Sequence, residues 1–77
     1  MDQFGIKKAL IKIADNEVVK MSSTDYKCHL FYKSTDNFGK PIIHEVIRNA
    51  GKNIKLHLTR EEMIEKFGEN KFYIYDK

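Results

Sequence analysis

The last nineteen residues, 59–77, indicate the fold most clearly, and they read TREEMIEKFGENKFYIYDK. Thr59 and Glu62 have the spacing of a capping box, in which the hydroxyl and the carboxylate each accept a hydrogen bond from an open backbone N–H at a helix start. Apolar residues follow at helical spacing as far as Gly68, where we expect the helix to end. Residues 71–76 then read as a strand. The sequence therefore predicts a capped helix followed by a final strand.

The start of the chain has the pattern of an amphipathic helix, with Asp2 as its cap. Its apolar residues recur at i, i+3, i+4, i+7 and i+8, which places them on one face of a helix over 3–14. They are Ile6, Ala9, Leu10, Ile13 and Ala14. The alternative is a hairpin in which 9–14 pairs with 17–21 and turns at Asp15 and Asn16.

Residues 26–34 alternate as a half-buried strand does. One face carries Tyr26, Cys28, Leu30 and Tyr32, and the other carries Lys27, His29, Phe31 and Lys33. Because Cys28 shares a face with Leu30 and two tyrosines, we interpret it as a small core residue.

Residues 41–49 allow two interpretations. Pro41 at a first turn, with Gly51 just beyond the end, suits a helix. The β-branched residues in this segment and the short connection to the preceding strand favour a strand instead. A third strand follows, with Ile54, Leu56 and Leu58 on its apolar face.

The element order is thus α-β-β-β-α-β. It predicts an α+β fold for residues 1–77 as a single domain, with a small antiparallel sheet of about four strands and two helices covering one face. The order overlaps that of double-stranded RNA-binding domains. Those domains hold phosphates with a basic entry to their last helix, whereas Thr59-Arg60-Glu61-Glu62 places acid there. We therefore do not assign the chain to that family.

The composition limits the compartment and the kind of partner. The 14 basic residues exceed the 11 acidic ones, for a net charge of +3, and most are lysines, which attract anions as point charges without planar recognition. A single cysteine excludes an internal disulfide and leads us to expect a reducing, cytoplasmic setting. There is no apolar run of about 18 residues, so we expect no membrane span. Abundant Ile, Lys, Asn, Phe and Tyr is typical of AT-rich genomes, including those of phages and plasmids.

We find no constellation of residues that predicts catalysis or a cofactor. His29, His44 and His57 fall on separate predicted strands without close ligand spacing, so we interpret them as independent rather than as a metal site. His29 would point away from Cys28 and could not activate it. The glutamates of the last helix complement its dipole. We therefore expect a non-enzymatic protein with no cofactor and no small-molecule substrate.

Two segments are candidates for binding. We expect residues 48–55 to form a loop that carries Arg48, Lys52 and Lys55 without an acid, and Gly51 lets backbone N–H groups of this loop approach an anion. The final segment, Phe72, Tyr73, Ile74 and Tyr75, leaves neither strand face polar, which favours a partner or self-association through one of its two faces.

The leading hypothesis is a small protein that acts through protein–protein interaction, such as a phage or plasmid accessory protein or inhibitor. The alternative is a nucleic-acid-binding module that uses the basic 48–55 segment, with exposed tyrosine or phenylalanine rings as stacking platforms.

Overall fold

The structure is a computed structural model, and it describes residues 3–21 and 27–75. In chain order the elements are α1 (Ile6–Ala14), β1 (Val19–Lys20), β2 (Lys27–Thr35), β3 (Pro41–Asn49), β4 (Lys52–Leu58), α2 (Arg60–Phe67) and β5 (Tyr73–Ile74). The strands form one antiparallel sheet in the order β4-β3-β2-β1-β5. The predicted α+β class is confirmed, with five strands where the sequence predicted about four.

The extra strand, β1, lies between β2 and β5. Val19 pairs with Phe31 on one side and with Ile74 on the other. Two residues are too short to show an alternating pattern, so the sequence alone did not reveal this strand. The final strand is also shorter than the predicted 71–76.

Both ambiguous segments are resolved. Residues 6–14 form a helix, as predicted, and the hairpin alternative for 9–14 is wrong because Leu10 and Ile13 bury their side chains on the helix face. The predicted cap, Asp2, lies outside the described residues. Residues 41–49 form a strand along their whole length, so the helix alternative is wrong there.

The core lies between the two helices and one face of the sheet. Phe31 at the centre of β2 is fully buried, and the same side of the sheet contributes Val19, Ile43 and Leu58. The other buried members of this cluster are Phe4, Ala9, Leu10, Ile13, Met63 and Phe72. Because the helix residues and these strand residues form one cluster, both helices cover the same side, as predicted.

Cys28 is buried, but it does not lie on the face that the helices cover. Strand alternation places Cys28, Leu30 and Tyr32 on the opposite side from Phe31. The interpretation of Cys28 as a small core residue is confirmed by its burial, although it lies on the side of the sheet away from the helices. The sequence pattern shows two faces of β2 but does not say which one the helices cover.

The capping box at α2 is confirmed. The Glu62 N–H donates to Thr59 Oγ1 over 3.1 Å, and the Thr59 N–H donates to Glu62 Oε1 over 2.8 Å. The helix ends at Phe67, and Gly68 follows with a right-handed φ of −60°. Glycine is required there for space, because a Cβ at Gly68 would collide with the Ile64 carbonyl oxygen.

A two-residue turn joins β3 to β4. Ala50 has φ 53° and Gly51 has φ 87°, which are the left-handed values of a type I′ turn. This turn sets the register of the β3–β4 hairpin. Within the described ranges, neither helix is long and apolar enough to cross a membrane.

Replacing Thr59 with alanine should lower the free energy of unfolding by about 1 kcal/mol, because the substitution removes the side-chain acceptor of the cap. Denaturant unfolding measures the loss. Thr35→Ala, at an exposed strand end, is the matched control and should change stability little. Equal losses in the two variants would show that the cap does not stabilise α2.

Candidate nucleic-acid interface

The side of the sheet opposite the helices, here called the open face, carries rings and cations. Directly opposed residues share a face, so the register assigns its strand members. They are Lys20, Cys28, Leu30, Tyr32, Ser34, Ile42, His44, Val46, Arg48, Asn53, Lys55, His57 and Tyr73. Glu45 is the one carboxylate in the five described strands, and it lies on the helix side.

The accessible part of the open face lies on its outer strands. Lys20, Cys28 and Leu30, near its centre, are buried, whereas Lys55 and His57 on β4 are exposed. The side chains of this face that a ligand could contact therefore lie mainly on β3 and β4.

His44 and His57 form a stacked pair across β3 and β4. Their ring centroids lie 4.5 Å apart with planes 15° apart. The turn at Ala50 and Gly51 makes its flanking residues a hydrogen-bonded pair, and counting from there makes His44 and His57 a non-hydrogen-bonded pair. Such pairs bring side chains closest together, which explains the stack. His44 lies against one face of the exposed His57 ring and does not cover the other face.

Tyr32 continues this cluster onto β2. The Tyr32 oxygen lies 3.1 Å from His44 Nδ1, and the two rings meet edge to face with centroids 5.2 Å apart. Burial lowers the pKa of His44 below its ordinary 6.5, and His57 and Lys55 lower it further. A neutral His44 with its proton on Nε2 accepts a hydrogen bond at Nδ1 from the Tyr32 hydroxyl, whereas the other tautomer donates to the Tyr32 oxygen. Tyr32, His44 and His57 thus form a row of rings across three adjacent strands, here called the ring row.

A cation lies beside the ring row. Lys55 Nζ is 5.9 Å from the centroid of the Tyr32 ring. A second ring and cation meet further across the face, where Arg48 donates to the Tyr75 hydroxyl over 3.3 Å and lies 5.9 Å from its ring centroid. A shallow pocket of about 470 Å³ lies beside this pair, and its lining includes Leu30 and Tyr32.

The predicted basic segment 48–55 is not a loop. Arg48 belongs to β3, Lys52 and Lys55 belong to β4, and only Ala50 and Gly51 form the turn. Arg48 and Lys55 share the open face, whereas alternation places Lys52 on the helix side with Asn49. The sequence pattern identified the cations but treated two strand ends as loop, and so it did not separate the faces.

The final segment divides between the two faces. Phe72 is fully buried and Ile74 packs against the core, so Phe72 has no surface to offer a partner. Tyr73 and Tyr75 are half-buried on the open face. Of the two predicted alternatives, the tyrosine pair is the one on the side without helices.

The three histidines do not converge. His29 lies on the helix side, where its Nδ1 is 2.6 Å from Oε2 of the buried Glu45. No group of three or more candidate metal ligands occurs within 3–21 and 27–75. The alternation that separates Cys28 from His29 follows the sequence prediction. Pairing of His29 with Glu45 had no sequence signal, because the two residues are 16 positions apart.

Two glutamates lie on the opposite side of the sheet from the open face. Glu61 and Glu62 occupy the first turn of α2, which packs on the helix side. The described strands place no carboxylate on the open face, because Glu45 also faces the helices. No protein-family model, curated protein or solved structure matches the chain.

The pKa of the His44 imidazole should lie below 6.5, chiefly because the ring is partly buried. An NMR pH titration of its ring protons measures the midpoint. His57→Gln should raise that midpoint, since it removes one neighbouring charge while burial remains. Because the folded pKa is lowered, the associated stability is present above pH 6.5 and is lost as the pH falls through the folded value. Lys52→Gln, on the other face, should leave the midpoint unchanged. A midpoint at or above the ordinary value would contradict the packing described for this pair.

Proposed function

We propose that this protein binds single-stranded nucleic acid on the open face, without catalysis. The observation that carries the proposal is the ring row of Tyr32, His44 and His57 with Lys55 beside it. Proteins that bind single strands combine cations for the backbone with flat rings on which bases stack. A sheet face presents both because its side chains stand side by side.

The dimensions of the ring row suit a short stretch of bases. Neighbouring strands lie about 4.8 Å apart, so three strands cover about 10 Å across the sheet. Sheet-based RNA-binding domains stack two or three bases on such a surface. The exposed ring of His57 at the edge offers a first platform, and Tyr32 lies two strands further in.

The cations favour contact with phosphates over reading of bases. Lys55 is a mobile point charge, which suits a phosphate without base specificity. Arg48 donates a hydrogen bond to the Tyr75 hydroxyl, which holds its guanidinium in place as a second cation. We therefore expect modest affinity with steep salt dependence and little sequence preference.

A single strand fits this face better than a duplex. Stacking on side-chain rings requires bases that are free of a helix, because duplex bases already stack on each other.

The second candidate function is protein binding, which the sequence favoured. The observation that supports it is the position of Tyr73 and Tyr75 on the side without helices. Burial of Phe72 removes one of the three aromatic rings of this segment from the surface that a partner could contact. We rank this candidate second because Lys55 lies beside the ring row, whereas the centres of protein interfaces are depleted of charge.

Lys55→Gln should weaken binding of a fluorescent single-stranded oligonucleotide, measured by anisotropy at several salt concentrations. The slope of log affinity against log salt should fall in magnitude by about 0.7, the value for one phosphate contact with a single strand. The matched control is Lys52→Gln, which removes the same charge from the same strand on the other face. The control should keep its slope.

The same assay tests the rings. His57→Ala should cost about 1–3 kcal/mol of binding, as the loss of one stacked base does. Its control is Phe38→Ala, since Phe38 is 87% exposed in the turn between β2 and β3. No binding by the unaltered protein, or equal losses in the ring variant and its control, would overturn the nucleic-acid proposal. Capture of a protein that survives nuclease and is lost in Tyr73→Ala/Tyr75→Ala would support the second candidate instead.

A further inference from the structure

The outer edge of β4 is a seven-residue strand with no described neighbour on its outer side. The other edge of the sheet is partly covered, because Phe4 and Phe72 exchange two backbone hydrogen bonds of 3.0 and 2.8 Å. An open edge of this length pairs readily with another strand. The two edges of this sheet therefore differ in what they leave unpaired.

The backbone groups on the open edge follow from the turn. Asn49 and Lys52 flank a two-residue turn, so they form a hydrogen-bonded pair, and every second residue of β4 then bonds to β3. The backbone N–H and C=O groups of the alternate residues point away from β3, toward the open edge; these residues are Asn53, Lys55 and His57. No backbone hydrogen bond within 3–21 and 27–75 reaches them. The edge thus presents three donors and three acceptors in strand geometry.

Apolar side chains flank this edge on the helix side. Ile54 is 58% exposed and Leu56 is 42% exposed, although both share the side of the buried Leu58. Burial along this side of β4 is complete only at Leu58, so the described chain leaves Ile54 and Leu56 only partly covered. They are more exposed than expected for the helix side of a covered sheet.

We propose that β4 pairs antiparallel with β4 of a second copy, with the twofold axis at Leu56. In this register Leu56 meets Leu56 of the second copy, and Ile54 meets Leu58 of the second copy. The two exposed Leu56 side chains then cover each other, and the exposed Ile54 lies across from the buried Leu58 of the second copy. Lys55 lies opposite His57 of the second copy, and outward backbone groups face outward backbone groups.

The neighbouring registers fit less well. An axis at Lys55 sets two lysines directly opposite each other, which is unfavourable. An axis at Ile54 sets Lys52 against Leu56 of the second copy and leaves Leu58 out of the contact. The sequence of β4 is therefore most self-complementary around Leu56.

Lysine on an edge often protects it from pairing. Here Lys55 lies over the Tyr32 ring of its own sheet, with Nζ 5.9 Å from the centroid, so its charge is drawn back over the open face. Pairing would join two sheets into one of ten strands, and the open faces would become continuous. This inference does not depend on what the open face binds.

Disulfide formation tests the register in a Cys28→Ala background. Leu56→Cys should form a covalent dimer on mild oxidation, because a non-hydrogen-bonded pair sets its Cα atoms about 4.5 Å apart, within disulfide range. Lys55→Cys is the matched control, and it should cross-link more slowly because its own counterpart is not opposite. Non-reducing electrophoresis gives both rates. Faster cross-linking of Lys55→Cys, or none in either variant, would overturn the proposal.

Light scattering tests the contact without cysteine. The unaltered protein should approach twice its 9.1 kDa mass as concentration rises. Ile54→Asp should stay monomeric, while Ile11→Asp, at a residue 60% exposed on α1, should still dimerise. Circular dichroism verifies that both variants fold. A protein that stays at 9.1 kDa throughout, or equal loss in both variants, would overturn the inference.

Discussion

The burial of Phe31 against the helices is the constraint on which the rest of the structure depends. Its ring packs edge to face against Phe67 and Phe72, at centroid distances of 5.4 and 5.9 Å, so it joins β2, α2 and the final segment. Because side chains alternate along a strand, fixing Phe31 inward fixes Tyr32 outward. Register then carries this choice across the sheet and brings His44 and His57 onto the side without helices. The open face is therefore a consequence of how the core forms.

This one-sided arrangement also organises the charges. The carboxylate of Glu45 faces the helices, where His29 pairs with it, and the acids of α2 lie on that same side. Lys55, in contrast, lies on the open face. The open face of the described strands thus carries Arg48 and Lys55 beside its rings and no carboxylate, although the net charge of the chain is only +3. Local concentration of charge beside flat rings, more than net charge, is what makes this surface suited to a polyanion.

Local sequence signals predicted the elements well and the faces poorly. The capping box at Thr59 and the alternation of β2 depend on neighbours a few residues apart, so both can be recognised from the sequence alone. The choice between the two faces of β2 depends on where the helices dock, which is a long-range matter. The sequence therefore predicts that Cys28 is buried but not that it lies on the side away from the helices. Lys52 was grouped with its basic neighbours because the tight turn at Gly51 was read as a longer loop. Pairing of His44 with His57 required a register that a single sequence does not supply.

The most direct test of this account compares two neighbouring residues of β2. Phe31→Ala should lower the free energy of unfolding by about 3–5 kcal/mol, because it empties the centre of the core. Tyr32→Ala should cost about 1–2 kcal/mol, because it removes a half-buried ring and one hydrogen bond. Denaturant unfolding of both variants in one buffer measures the difference. A loss for Tyr32→Ala that equals or exceeds the loss for Phe31→Ala would contradict the assignment of the covered and open faces.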